Sequence, residues 1–321
     1  MAARLSALLL SALIATIATQ EQHRAQTPAP ASSSSSLRPS LQLSQIAYEK
    51  SQVVRGDLTI ANLSDKWVAI PNGEELAKGL RLRLPDGKEV QPDKPEQFAA
   101  ARTKELGPGG FTGFAFDAAL LFPQLQTPGR YELTFTGPGL SASAAVRIIE
   151  EFDPSKKFEL TLTTKSGKIV ILLDPSLAPV AVRNVVNLTR LEYYNGANIT
   201  VASPGNMLSW RGDVSAAHRI VPFEPAMGPL LAGSVVLEPS ELGGSKGSWP
   251  NLAVLLSAKP DMSGKVVSVG RVTAGFDIAN KLAGVTTSGP SGRPPFQPLE
   301  PVFIVKAEIR ELDTSPVAPG N

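Results

Sequence analysis

Cysteine is absent from the chain, and histidine occurs only at positions 23 and 218. Without thiols there is no cysteine nucleophile, no cysteine-based zinc site and no disulfide framework. Charge is scarce in net terms: +2 over 321 residues, with no basic stripe of the kind that nucleic acid requires. No nucleic-acid partner is therefore expected. Glycine-rich phosphate loops, EF-hand loops and zinc spacings are missing as well, so no cofactor or metal is expected. "GGSKG" at 243–247 satisfies G-x-S-x-G as a string. A nucleophile elbow also needs a histidine later in the chain, and none follows, His218 being the last.

What is present begins at the N-terminus. Arg4 precedes "LSALLLSALIATIA", an apolar run of 14 residues at positions 5–18 that closes on small side chains. A bilayer span needs about 20 apolar residues. The run therefore reads as a secretory signal peptide over 1–18, cleaved near Ala18. The mature protein is expected to be exported, to a periplasm or the extracellular space, with no stable membrane span. Residues 19–40, "TQEQHRAQTPAPASSSSSLRPS", are polar and rich in Ser and Pro. They read as a disordered linker, and His23 as a solvated residue within it.

From 41 to 150 the pattern is β throughout. In "LRLRLPDGKEV", Leu80, Leu82 and Leu84 alternate with Arg81 and Arg83 before the Pro85-Asp86-Gly87 turn. Period-2 alternation puts the leucines on one face and the arginines in water. "RYELTFTG" repeats the pattern, and "SASAAVRII" supplies a closing strand. Several short strands separated by polar turns point to an immunoglobulin-like β-sandwich. Trp67 is expected to pack in its core. The segment "EEFDPSK" at 150–156 then reads as a polar hinge, and a second domain spans 155–314.

That second domain opens with a hairpin, "KFELTLTTKSGKIVILLDP", turning at Ser166-Gly167. Pro179 follows at a first-turn position, where its missing N–H is harmless. Val182, Val185, Val186 and Thr189 then keep the i, i+3, i+4, i+7 spacing of one helical face. Further strands are expected at "GSVVLE", "LAVLLSA" and "GKVVSVGRV", a short helix at "FDIANKLAGV" and a last strand at "PVFIVKAEI".

Five of these stretches, in this order, resemble the cyclophilin family of peptidyl-prolyl isomerases. They are Ser166-Gly167-Lys168-Ile169; Ala178-Pro179 through Val182, Asn184 and Leu188 to Tyr193-Tyr194-Asn195-Gly196; Pro204-Gly205 with Met207 and Gly212-Asp213; Ser263-Gly264-Lys265 with Val269-Gly270-Arg271-Val272; and Gly275-Phe276-Asp277. The resemblance spans about residues 157–312. It implies a mainly β fold, a cyclophilin-like closed β-barrel capped by two helices, and proline-containing peptide or protein segments as partners. It also implies a catalytic device: an arginine that hydrogen-bonds the twisting X–Pro amide above an apolar pocket for the ring. That would be transition-state stabilisation by a preorganised donor.

Here the device is degraded. Where the resemblance calls for arginine, the run reads Ile199-Thr200-Val201. Asn206 stands where a phenylalanine should follow Pro-Gly, and a glutamine becomes Ser209 or Trp210, the strand being one residue longer. Asn251-Leu252-Ala253 replaces the aromatic pocket floor, and Val266 replaces a histidine. Met207 is retained, and Met262 stands for an apolar wall. The resemblance thus implies an isomerase family member with no assigned catalytic residue, weak or inactive, acting as a peptide-binding or scaffold module. The alternative is a divergent active isomerase, assisting the folding of exported proteins, with Arg211 as a relocated donor. His218-Arg219-Ile220 mimics the missing motif, but Pro222-Phe223-Glu224 belongs to a later stretch of the resemblance. Arg211-Gly212-Asp213 spells an integrin-type tripeptide whose Gly-Asp the fold already accounts for.

Overall fold

The computed structural model describes residues 36–98, 105–212, 221–240 and 247–313. The expected signal peptide, nearly all of the expected linker, Asp213, His218 and residues 243–246 lie outside the described residues. Contacts divide the described chain into two units, one of 36–48 with 52–148 and the other of 49–51 with 149–313. Both are built mainly of β-strands.

The first unit holds two principal antiparallel sheets. One joins Leu37–Leu43, Arg55–Asn62 and Phe111–Asp117; the other runs Ala47–Glu49, Leu140–Ile149, Gly129–Gly137, Leu80–Arg83 and Glu89–Val90. Leu41, Leu58, Ile60 and Phe116 from the first sheet share one core with Leu80, Leu82, Leu133 and Phe135 from the second. The leucine–arginine alternation places Leu80 and Leu82 fully inside, while Arg83 meets Glu132 and Glu89 in water at 3.1 and 3.3 Å. Trp67 corrects an expectation. It is 71% exposed, its ring lying over Gly107 outside the core. The residues before it, Ser64–Lys66, form a turn around the Asn62 side chain, which leaves no strand period to carry Trp67 inward.

Among its described residues the second unit contains nine strands: β1 (Lys157–Thr164), β2 (Gly167–Leu173), β3 (Asn198–Ser203), β4 (Met207–Arg211), β5 (Val221–Pro222), β6 (Ser234–Ser240), β7 (Gly247–Leu255), β8 (Val267–Ala274) and β9 (Ile304–Leu312). Its two longer helices are α1 (Pro179–Arg190) and α2 (Phe276–Ala283). The sheet order is β3-β4-β7-β6-β8-β2-β1-β9, with β5 pairing β7 at one side. A single bridge, Asn198 to Phe303, joins the two ends of this path. Period 2 then sorts each strand. Leu208, Trp210, Val235, Leu237, Leu252, Val254, Val267 and Val269 point into one large core. Their neighbours in sequence point to the opposite face.

Helix α1 buries Val182, Val185, Val186 and Thr189, as its spacing predicts. Pro179 sits at its first position and Ala178 offers no side-chain cap. The orphaned amides of Val180 and Ala181 donate instead to the Glu224 carboxylate, at 3.3 and 2.8 Å. A negative charge there also meets the positive end of the helix dipole. Within the segment expected as a hinge at 150–156, Phe152 is buried in the second core and stacks on Phe158 with centroids 5.2 Å apart. One aromatic side chain in a polar segment has no periodicity to reveal it.

Asp174 ends the β1–β2 hairpin. Its carboxylate accepts the Ser176 amide at 3.1 Å and hydroxyl at 2.7 Å, and pairs with Lys157 at 2.7 Å. Burial pushes the Asp174 carboxyl up, but the bonds from Lys157 and Ser176 outweigh it and hold the group below the ordinary aspartate range. A depressed carboxyl stabilises the fold fully above its unfolded pKa of about 3.9, and that contribution vanishes as pH falls through the folded value. Asp174→Asn is expected to cost about 1 kcal/mol at pH 7, reduced from the buried-pair figure because Lys157 is half exposed. Urea midpoints at pH 7 and pH 2 check this. An undiminished penalty at pH 2 would remove the electrostatic explanation.

Candidate functional site

The outer face of β4, β7, β6 and β8 gathers most of the residues singled out from the sequence. Ala253, Val266, Val236, Leu255, Ala226 and Leu230 are buried there as a separate apolar cluster, with Met207 and Met262 packed against it. Four of the expected positions, Met207, Ala253, Met262 and Val266, therefore meet. They fill the space between them with aliphatic and thioether groups, where a ring would have made a floor. Ala226 and Leu230 also border an open pocket of about 480 Å³ lined further by Lys157, Asp174 and Arg271.

Val201 pairs in register with Ser209 across the β3–β4 hairpin. The register shifts between Ile199 and Val201, so the extra residue is a bulge at Thr200 on β3 and not in β4. Strand β4 consequently keeps strict alternation. Ser209 faces outward, opposite Ala253 on β7, while Trp210 is wholly buried in the interior core. Trp210 is thus removed from the list of outer-face positions, and Ser209 takes the place that the sequence left shared between them. The indole N–H of Trp210 has no partner among the described residues.

Asn206 occupies the turn between β3 and β4. Its side-chain amide donates to the Ser203 hydroxyl at 3.3 Å, and its carbonyl accepts the Leu256 amide at 2.9 Å. It acts as a turn residue. Arg211 is exposed at the end of β4, paired with Asn198. It shares the outward parity of Met207 and Ser209 but lies four residues beyond Met207, about 13 Å along the strand.

Asn251 is buried, and its amide donates to Glu238 at 2.8 Å. The Ser209 hydroxyl donates to the other oxygen of the same carboxylate. Glu238 is the residue that the sequence reading missed. "SVVLEPS" places Val236 and Glu238 two apart, so the alternation that sends Val236 to the outer cluster sends Glu238 with it. Among the described residues, no group of three or more His, Asp or Glu side chains could hold a metal ion.

Among the described residues, a nine-stranded sheet with two longer helices makes the second unit a β-rich domain. Residues 159–224, within the second unit, match the family described as "Cyclophilin type peptidyl-prolyl cis-trans isomerase/CLD". "Peptidyl-prolyl cis-trans isomerase A" of Dickeya dadantii is 26% identical over 185 residues, covering 53% of this chain and 96% of its own. A "Probable peptidyl-prolyl cis-trans isomerase" of Brucella suis is 28% identical over 172 residues, covering 47% of this chain and 86% of its own. A crystal structure of a Cryptosporidium parvum cyclophilin type peptidyl-prolyl cis-trans isomerase aligns at 18% identity with a TM-score of 0.41, over 47% of this chain and 98% of its own.

Proposed function

We propose that the protein is exported and that its cyclophilin-type unit binds extended proline-containing segments without isomerising them efficiently. In this reading the first unit is an immunoglobulin-like sandwich, the second a closed barrel, and the two serve as a binding or scaffold protein. Two sheets sharing one core support the sandwich, and the Asn198–Phe303 bridge supports closure. Arg4 with the apolar run behind it supports export; a native N-terminus at Met1 or Ala2 would count against it.

The observation that carries the functional reading is the pairing of Val201 with Ser209 beside the filled cluster of Met207, Ala253 and Val266. An isopropyl group offers the substrate amide no hydrogen bond, yet the partly exposed Met207 and Met262 over the cluster leave apolar surface for a side chain of an extended peptide. Titration of the ¹⁵N-labelled full chain with a blocked Ala-Leu-Pro-Leu peptide tests it. The expected result is saturable shifts of the amides of Met207, Ser209 and Ala253. Shifts confined to other regions, or none at millimolar peptide, would overturn the reading.

A further inference from the structure

Glu238 gives the outer face a carboxylate that no cation among the described residues neutralises. Both of its oxygens are held by neutral donors, Ser209 and Asn251. Among the described residues no lysine or arginine forms an ion pair with it, whereas Asp174, Glu159, Glu308 and Glu311 in the same unit each have one. Ser209 and Asn251 are themselves buried, so they grip the carboxylate from the protein side and fix its direction. A carboxylate has about four acceptor positions, and two donors leave the remainder to a ligand. Glu238 is only partly exposed, so a cation arriving there is less screened than on an open surface.

The surroundings narrow the ligand further. Val236 lies two residues before Glu238 and Ala253 two residues after Asn251, so the acidic spot is continuous with the apolar cluster. A lone carboxylate does not make a metal site, and it repels phosphate and other anions. A cation on an aliphatic stem matches both halves, the stem lying toward the partly exposed Met207, two residues before Ser209 on the same face, while the head meets the acid. Side-chain donors that would otherwise present N–H and O–H groups to a ligand are spent on Glu238. The face offers an anionic acceptor where donors would be expected.

We propose that this face selects an extended segment carrying a lysine or arginine next to the residue seated on the apolar cluster. The inference rests on the peptide-binding reading above. It is tested on the full chain with three blocked peptides, Ala-Arg-Pro-Leu, Ala-Leu-Pro-Leu and Ala-Glu-Pro-Leu, titrated at low and high sodium chloride. The arginine peptide is expected to bind at least about fivefold tighter than the leucine peptide, with the glutamate peptide weakest. Added salt should erode the arginine advantage and leave the leucine peptide unaffected. Glu238→Gln, which keeps a side chain able to bond Ser209 and Asn251, should abolish the preference while the leucine peptide still binds. Salt dependence of the unmodified protein decides the matter should the variant fold poorly. Equal affinities for all three peptides would overturn the charge selection and leave peptide binding standing. Failure of all three to bind would overturn both.

Discussion

In a proline-isomerisation assay the full-length protein is expected to accelerate the reaction by less than about tenfold, at concentrations where an arginine-bearing family member is fast. The barrier to be lowered is about 18–20 kcal/mol and arises from C–N double-bond character. Only a group that binds the twisted amide better than the planar one can reduce it. Removal of one preorganised donor from such a site typically costs about 10²–10³ in rate, or 2.7–4 kcal/mol. In strands β3 and β4 the one arginine is Arg211, and alternation along β4 leaves it about 13 Å from Met207. The bulge that could have swung it toward the cluster lies on the other strand, at Thr200. Loss of the pocket floor compounds the loss of the donor, because Ala253 is packed among Val236, Leu255 and Val266.

Two variants separate the competing readings of that result. Arg211→Ala is expected to leave the low rate unchanged. Val201→Arg should raise it only partly, since a restored donor still lacks a ring held against it. High activity in the unmodified protein that disappears in Arg211→Ala would establish a relocated donor and sink the non-catalytic reading. Because 1.4 kcal/mol is a factor of ten, the assay resolves the two cases well within its range.

Much of the fold was legible wherever a period runs unbroken. Helix α1 shows four buried side chains at their expected spacing, and the Leu80–Arg83 alternation sorts correctly between core and water. The failures fall where a period is interrupted or too short to read. An extra residue between Asn198 and Arg211 could belong to either strand, and only pairing assigns it to Thr200. That assignment decides whether Ser209 or Trp210 faces outward, since a one-residue slip exchanges the two faces. Trp67 and Phe152 sit in irregular segments, so hydrophobicity alone sent the first inward, the reverse of its actual place, and left the burial of the second unread. Glu238 was hidden for a different reason. It lies in a strand read for its valines, and its partners Ser209 and Asn251 come from two other strands.

Gly270→Ala is expected to be among the most damaging small substitutions in the second unit, costing about 4 kcal/mol or more, in the range reserved for severe backbone or core lesions. Gly270 pairs with Leu173 on β2 and with Val235 on β6, so it is enclosed by strands on both sides. A Cβ added there would stand 2.0 Å from the Leu172 carbonyl oxygen and 3.0 Å from the Leu173 Cα. Those atoms are backbone of a central strand and cannot turn aside as a side chain would. Relief requires β2 and β8 to separate, at the expense of the ladder that joins the first hairpin to the rest of the sheet. Gly264→Ala supplies the control. Gly264 has a φ of +72° but nothing within 4 Å of the added carbon, so only the left-handed backbone is penalised, by about 1–2 kcal/mol. Urea denaturation of both variants should therefore differ by a wide margin. If Gly270→Ala unfolds within about 1 kcal/mol of the unmodified protein, the close approach is not rigid and the register of β2 against β8 is softer than it appears. The expected outcome bears on how the motif is understood. Val269-Gly270-Arg271-Val272 carries part of the resemblance, yet its glycine acts by letting two strands meet. A chain can keep such residues for the fold after the groups that touched a substrate have been replaced.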